Sequence, residues 1–395
     1  MAEVMNYIDR LVAELCPDGV EYRPLGELLA YEQPTKYLVS SKDYDESYPT
    51  PVLTAGKTFI LGYTNETEGI YPASEEEPVI IFDDFTTAFK WVEFPFKAKS
   101  SAMKMLTLKS GTNSLFKYVY YAMQCIVYNS SDHARQWISK YSNIEIPVPP
   151  IEIQEAIVEI LDKFTNLEAE LEAELEARTL QYEYYRDSLF EAPDCPRVPL
   201  GSLGTFVRGN GLQKKDLQES GNPVIHYGQV FTRYGLHEDK TLSYANDEVY
   251  NKLRKAEKGN LVIATTSEND EDVCKALAWL GETPAGISGD AYIYRHEMNP
   301  KYVSYFFTTH DFQRQKLRHI TGTKVRRVSG KNLETIEIPL PPLEEQQRIV
   351  DILDRFDALT ASLSEGLPAE LAARRSQYEY YRDQLLTFPR KGENQ

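Results

Sequence analysis

Gln181-Tyr-Glu-Tyr-Tyr-Arg-Asp187 recurs unchanged as Gln377-Tyr-Glu-Tyr-Tyr-Arg-Asp383. An identical run of this length, rich in aromatic and charged side chains, marks a duplicated chain, and a duplication restricts the fold to two copies of one plan. The repeat extends upstream. Glu145-Ile-Pro-Val-Pro-Pro150 returns as Glu337-Ile-Pro-Leu-Pro-Pro342, and Ile157-Val-Glu-Ile-Leu-Asp-Lys-Phe164 as Ile349-Val-Asp-Ile-Leu-Asp-Arg-Phe356. Fainter echoes keep the same order: Pro24-Leu-Gly26 with Pro199-Leu-Gly201, Pro51-Val-Leu53 with Pro223-Val-Ile225, Val79-Ile-Ile81 with Leu261-Val-Ile263, and Lys117-Tyr-Val119 with Lys301-Tyr-Val303. Whole domains are therefore duplicated. Their connecting loops differ in length.

Each copy reads as a mixed lobe followed by a long helix. Residues 78–82 and 260–264 have the short β-branched character of strands, whereas 115–127 and 301–317 carry helical spacing. A Pro-Pro pair closes each lobe, and Glu152 or Glu344 opens a helix, since acidic residues suit a first turn. Ile157, Ile160, Phe164, Leu167 and Leu171 follow a coiled-coil seam, and after a four-residue stutter Tyr182, Tyr185 and Leu189 resume it. The second seam is Ile349, Ile352, Phe356, Leu359 and Leu363, and Gly366 and Pro368 predict a bend or break beyond it. The resulting expectation is an α+β protein: two mixed α/β domains joined by two long antiparallel coiled-coil helices, with a pseudo-twofold internal repeat. Domain limits are expected at 1–150, 151–190 for the first long helix, 191–342, and 343–395 for the second helix and tail. About 38 helical residues would hold the lobes up to roughly 57 Å apart.

Charge is informative through its distribution. The chain carries a formal net charge of −17. Residues 151–190 hold 11 acidic and 3 basic side chains, but 199–336 hold 16 acidic and 19 basic, so the acid lies in a helix and the second lobe is mildly basic. No apolar run approaches the roughly 18 residues of a membrane span, and the first ten residues lack a signal-peptide layout, so a cytoplasmic protein is expected. Cys16, Cys125, Cys195 and Cys274 show no Cys-x-x-Cys spacing, which predicts free thiols and no zinc site.

Catalytic patterns fail on inspection. Thr54-Ala-Gly-Lys-Thr58 resembles the end of a phosphate-binding loop, but Pro51 stands where the first glycine belongs, and Phe59 to Tyr63 reads as strand where a helix is required. Asp83 and Asp84 with Lys90 suggest a nuclease carboxylate pair only faintly; solvated or capping aspartates are the better reading. His226 and His319 lack metal-ligand spacing and read as hydrogen-bonding or phosphate contacts. No dinucleotide loop, His-Glu-x-x-His pair or Gly-x-Ser-x-Gly elbow is present, so no catalytic site and no metal site are expected.

What remains is a set of donor-rich loops suited to phosphates and base edges. The first lobe offers Lys36, Tyr37, Lys57, Thr58, Tyr63, Thr64, Asn65, Lys90, Arg135 and Gln136. The second offers Arg208, Asn210, Lys214, Lys215, His226, Tyr227, Gln229, Arg233, Tyr234, Lys324, Arg326 and Arg327. Lys324-Val-Arg-Arg327 is the densest cluster. On the helices, Tyr184, Tyr185, Tyr380 and Tyr381 exceed what one seam can bury and are candidates for contact with another subunit.

Two variable domains, each followed by a helix that opens Glu-x-Gln-x-x-Ile-Val-x-Ile-Leu-Asp and closes Gln-Tyr-x-Tyr-Tyr-Arg-Asp, resemble the specificity subunit of a type I restriction-modification system, particularly its IC-like group. In the first copy Ala156 stands where the second has Arg348. The resemblance implies a non-catalytic DNA-recognition subunit in bacterial defence, each target-recognition domain reading one half of a split double-stranded target. It also implies partners: two modification (methyltransferase) subunits that use S-adenosylmethionine for DNA methylation, and two restriction (motor-nuclease) subunits that use ATP and Mg. Those cofactors belong to the partners and none to this chain. In that group a Leu-x-Ala-Glu tetrad varies in number within the first helix, and Leu167-Glu-Ala-Glu-Leu-Glu-Ala-Glu174 reads as two copies. Each tetrad adds about 6 Å to a helix, a change of the order of a base-pair step at about 3.4 Å. The competing reading from another class is an acidic structural protein or DNA-mimic inhibitor of a restriction enzyme. It accounts for the net charge but not for basic loops in duplicate.

Overall fold

The computed structural model describes residues 2–56, 58–128, 134–191, 194–360 and 366–392, with the backbone alone for 2–6 and 358–360. The chain divides into two compact units, Met1–Glu170 with Leu371–Gln395, and Leu171–Glu370. The division falls inside the 41-residue helix Ile151–Glu191, so one element contributes to both units.

In the first unit a four-stranded antiparallel sheet runs in the order Leu29–Glu32, Met103–Leu108, Val79–Asp83, Phe89–Val92. A second sheet orders Ile60–Thr64, Thr50–Leu53, Lys97–Ala98, and a ribbon pairs Glu21–Pro24 with Glu145–Val148. The second unit repeats these parts with insertions. Its main sheet runs Gly204–Arg208, Ala291–His296, Leu261–Ala264, Lys275–Trp279, His237–Glu238; a four-stranded sheet is built around Asn222–Ile225 and Ala285–Ile287. The matching ribbon is Arg197–Pro199 with Glu337–Pro339. The protein is thus mixed α/β with one very long helix.

Hydrogen-bond register corrects one sequence echo. Ile80 and Phe82 face the core that contains the helix Phe116–Gln124, while Val79 and Ile81 face the other core. In the second unit Leu261 and Ile263 face the core around the helix Pro300–Phe306. Leu261 therefore corresponds to Ile80, one residue later than the sequence match suggested. Both strands are buried on both faces, so no polar alternation marks the register.

The same bonds tie each lobe to the helix that follows it. Gln154, fully buried, accepts from Leu115 N (2.9 Å) and donates to Pro149 O (2.7 Å). Gln346 likewise accepts from Asn299 N (2.9 Å) and donates to Pro341 O (2.8 Å). Tyr118 and Tyr302 donate to Pro147 O and Pro339 O at 3.0 and 2.9 Å. One turn further along, Tyr121 donates to Asp162 and Tyr305 to Asp354. The Glu-x-Gln motif thus has a physical reason: its glutamine satisfies a carbonyl of the Pro-Pro pair and the amide of the residue that starts a helix of the lobe.

Packing on the lobe also shifts the helical stripe. Ile153, Ile157 and Leu161 are buried against the first lobe, whereas Leu167 is 36% exposed. Beyond them Phe164 stacks on Tyr381 at 5.8 Å and meets Tyr378 at 6.3 Å, and Glu168 pairs with Arg375 at 2.6 Å. In the second unit Phe356 stacks on Tyr185 at 5.7 Å, with Tyr182 beside it at 6.4 Å. The second long segment forms the helices Leu343–Thr360 and Gly366–Leu385; Gly366 has φ +78°, and Pro368 lies in the first turn, where its missing N–H costs nothing. Leu363 and the side chain of Leu359 lie outside the described residues.

Two further segments depart from expectation. The helical stretch expected over 301–317 is two helices, because the Thr309 hydroxyl accepts from Phe312 N and starts His310–Leu317 afresh. The C-terminal tail is built into the first unit: Val20 N donates to Pro389 O (2.9 Å), Lys391 N to Val20 O (3.0 Å), and Tyr22 to Phe388 O (2.8 Å). Among the described residues no helix is long and apolar enough to cross a membrane, and the four cysteines are free.

Replacing Gln346 by Ala strands the Asn299 amide at the lobe–helix junction, at a cost of about 1–3 kcal/mol. Urea unfolding of Gln346→Ala is expected to show a lower midpoint, whereas the exposed neighbour variant Gln347→Ala shifts stability by less than about 0.5 kcal/mol.

Candidate nucleic-acid interface

A lone lysine in an apolar strand organises the first lobe's loops. Lys104 lies in Met103–Leu108 and pairs with Asp84 at 2.9 Å, both side chains fully buried. Asp84 Oδ1 accepts from Trp137 N (2.8 Å), Asp84 O accepts from Gln136 N (2.8 Å), and Lys104 Nζ donates to Gln33 Oε1 (3.1 Å). A buried ion pair is tolerable only with such additional bonds, and here they join three segments: the turn 83–88, the stretch 134–137, and the 3-10 turn Pro34–Tyr37. Asp83 caps its turn by accepting from Phe85 N and Thr86 N at 3.0 and 2.8 Å. The capping reading thus holds for Asp83, while Asp84 is buried and neutralised.

On this frame Lys36 is exposed and 3.6 Å from Glu32, and Tyr37 donates to the same carboxylate at 3.3 Å while packing edge-on against Tyr71. Arg135 and Lys90 are exposed. Thr58 and Asn65 flank the strand Ile60–Thr64 and are also exposed, and Tyr63 is half-buried. Thr64 and Gln136 are fully buried; Gln136 accepts from Tyr128 Oη (2.7 Å) and donates to Ala134 O (2.6 Å), so it holds the loop that carries Arg135. Lys57 lies outside the described residues. Because Thr50–Leu53 and Ile60–Thr64 form a hairpin, no helix follows the would-be phosphate loop.

Of the second lobe's candidates, Arg208 and Arg327 line a cleft of about 310 Å³ together with Thr266, Asp290, Tyr292 and Thr321 among others. Arg208, at a strand end, donates to Gly289 O (2.7 Å) and lies 3.6 Å from Asp290. His226 caps the helix Tyr227–Thr232 by accepting from Gly228 N at 3.2 Å. Burial holds its imidazole below the ordinary pKa, with Asp290 opposing the shift and Lys214 adding to it, so the ring is neutral at pH 7. Tyr227 packs on that ring at 4.7 Å, and Gln229 donates to Ser243 Oγ at 2.7 Å. Asn210 joins loops by accepting from Arg254 N and donating to Lys252 O. Lys214, Lys215, Arg233, Lys324 and Arg327 are exposed. Tyr234 is buried and accepts from Leu242 N (2.8 Å); it supports the loop from inside. Arg326 is half-buried, tied to Asp270 (2.8 Å) and to Gly322 O (2.7 Å).

One anchoring pattern recurs in both lobes. Asp84 N donates to Ala102 O and Asp84 O accepts from Gln136 N; Thr265 N donates to Asp290 O and Thr265 O accepts from Val328 N. Arg135 and Arg327 each immediately precede the anchored amide. Sequence reasoning missed Lys104, Thr266, Asp290 and the exposed Phe85. Lys104 alone left a signal, as the single charge in Met-Lys-Met-Leu-Thr-Leu. On the helices Tyr184 and Tyr380 are 70% and 63% exposed, and Tyr185 and Tyr381 stack as described. Among the described residues no group of three or more His, Cys, Asp or Glu is arranged to hold a metal ion.

A family model described as the type I restriction modification DNA specificity domain matches residues 17–177 and again residues 197–373. The chain belongs to this family. It is 44% identical over 98% of both chains to the EcoR124I/EcoR124II type I restriction enzyme specificity subunit of Escherichia coli. A putative type I specificity subunit of Haemophilus influenzae is 28% identical over 93% of this chain and 96% of its own. Among solved structures the fold is similar to the type I restriction-modification S subunit of M. genitalium (TM-score 0.52, 15% identity, 93% and 96% covered). It is also similar to a chain from a study of type I R-M complex assembly and conformational transition (TM-score 0.56, 15% identity, 93% and 97% covered). As a member of this specificity family the protein is a DNA-recognition component and not itself an enzyme.

Arg135→Ala and Arg327→Ala are each expected to weaken DNA binding by the protein assembled with its partner subunits, and to reduce the slope of log K against log salt by about one unit. Lys163→Ala, on the acidic helix and paired with Glu159, leaves both quantities unchanged in fluorescence anisotropy titrations.

Proposed function

We propose that the chain is the specificity subunit of a type I restriction-modification complex in which each lobe reads one half of a bipartite DNA target. The two long helices pair antiparallel as a coiled coil, relate the lobes by a pseudo-twofold axis, set the unread spacer, and present Tyr184 and Tyr380 to two methyltransferase subunits; two motor-nuclease subunits complete the assembly. The observation that carries this reading is the shared anchor just described: one backbone frame, built twice, presenting Arg135 and Arg327 on loops otherwise unlike in length and side chains. A fixed frame with divergent loops is what two readers of different sequences require. Duplicated Tyr-Tyr pairs, one ring of each stacked on a phenylalanine and the other exposed, suit two copies of one partner. S-adenosylmethionine, ATP and Mg are assigned to those partners.

Methylome sequencing of a host carrying the system tests this directly. Exchange of residues 199–336 for those of another family member is expected to change one half of the methylated target and leave the other intact. Insertion of one further Leu-Glu-Ala-Glu tetrad after Glu174 lengthens the spacer and changes neither half. If both halves change on exchange, the lobes are not independent readers; an unchanged spacer removes the helix from its role in setting it.

A further inference from the structure

The hairpin 321–327 of the second unit carries an exposed apolar residue among cations. Its inner strand, Arg326–Arg327, pairs antiparallel with Thr266–Ser267, and on the other side Thr321 and Arg327 exchange backbone bonds at 2.9 Å in both directions. Gly322, at φ +94°, makes the reversal. A Cβ there would lie 2.1 Å from Val325 O, so the turn admits only glycine in this geometry. Arg326 holds the hairpin from within through Asp270 and Gly322 O. The base of the hairpin is therefore bonded in place, and at its apex Val325 is 41% exposed, between exposed Lys324 and the tethered Arg326, close in sequence to Arg327 of the cleft.

We propose that Val325 is a specificity-determining residue that contacts the C5-methyl group of a thymine in the half-target read by the second lobe. The inference rests on the reading of that lobe as a DNA reader. The physical argument has three parts. A narrow hairpin, closed here by the single Thr321–Arg327 bridge, can enter the major groove as a two-stranded ribbon does, and there thymine alone presents a methyl group to an apolar side chain. Lys324 and Arg327 supply the charge that holds the apex against the groove, and Arg326, being occupied within the protein, is a positioning residue. Val325 is short and β-branched, so it reaches a methyl group in the groove without separating stacked bases, a task that falls to longer wedges such as Phe or Leu.

The test uses the full chain assembled with its methyltransferase partners and duplexes of the mapped target. In these, each thymine of the second half is replaced in turn by uracil, which lacks only the methyl group. Wild-type protein is expected to lose affinity about fourfold at one position, the worth of one buried methyl group, and to be indifferent at the others. Val325→Ala and Val325→Ser are expected to bring the thymine-to-uracil ratio at that position to about one while retaining the salt dependence of binding, which shows that the variants fold and dock. A half-target without thymine, an unchanged ratio in both variants, or 2-aminopurine fluorescence reporting an unstacked step at Val325 would each overturn the proposal. Failure of the parent reading is distinct: wild-type protein would then bind with no dependence on the second half-sequence at all.

Discussion

The architecture depends on a buried glutamine at the start of each long helix. Gln154 and Gln346 reach back across a Pro-Pro pair to satisfy one amide of the lobe and one carbonyl of the linker. A lobe that ended in two prolines without this bond would hang on its helix as a loose attachment. With it, and with the tyrosine–aspartate bond one turn on, the first turns of each helix are bonded to the lobe that precedes it. Any role of the helices in spacing or docking presupposes that attachment, because a ruler works only when its ends are fixed to what it measures.

The loops are held by another device, cations bonded to carboxylates of the same lobe: the buried Lys104 by Asp84, the half-buried Arg326 by Asp270, and the exposed Arg208 near Asp290. This accounts for a DNA-specificity protein with a formal charge of −17. Most acidic residues of the long helix are exposed, while Asp270, Asp290 and Asp311 of the second lobe lie against arginines. Loops ordered in this way lose less conformational entropy on binding, so affinity does not demand a large positive surface.

The repeat, the lobe-plus-helix plan and the break near Gly366 were legible because each depends on local pattern: an identical motif, a Pro-Pro stop, a glycine and a proline. The strand register was not, since Val79-Ile-Ile-Phe82 is apolar on both faces and one frame looks as good as the next. The loops that carry the candidate residues stood out by their composition, but the direction of each side chain did not. Arg135 and Arg327 came out exposed and equivalently anchored, whereas Thr64, Gln136 and Tyr234 turned inward, because side-chain orientation in loops is set by bonds between distant segments. The Asp84–Lys104 pair joins a turn to a strand distant in sequence, so composition and spacing hold no trace of it beyond one oddly placed lysine.

Hydrogen exchange of the assembled complex with and without its target duplex tests the central claim most directly. The account predicts protection on DNA binding at the amides of 134–137, 266–267 and 321–328, with the glutamine-bonded amides of Leu115 and Asn299 slow in both states. Protection confined to the helices, or faster exchange at Leu115 and Asn299 when DNA binds, would contradict it.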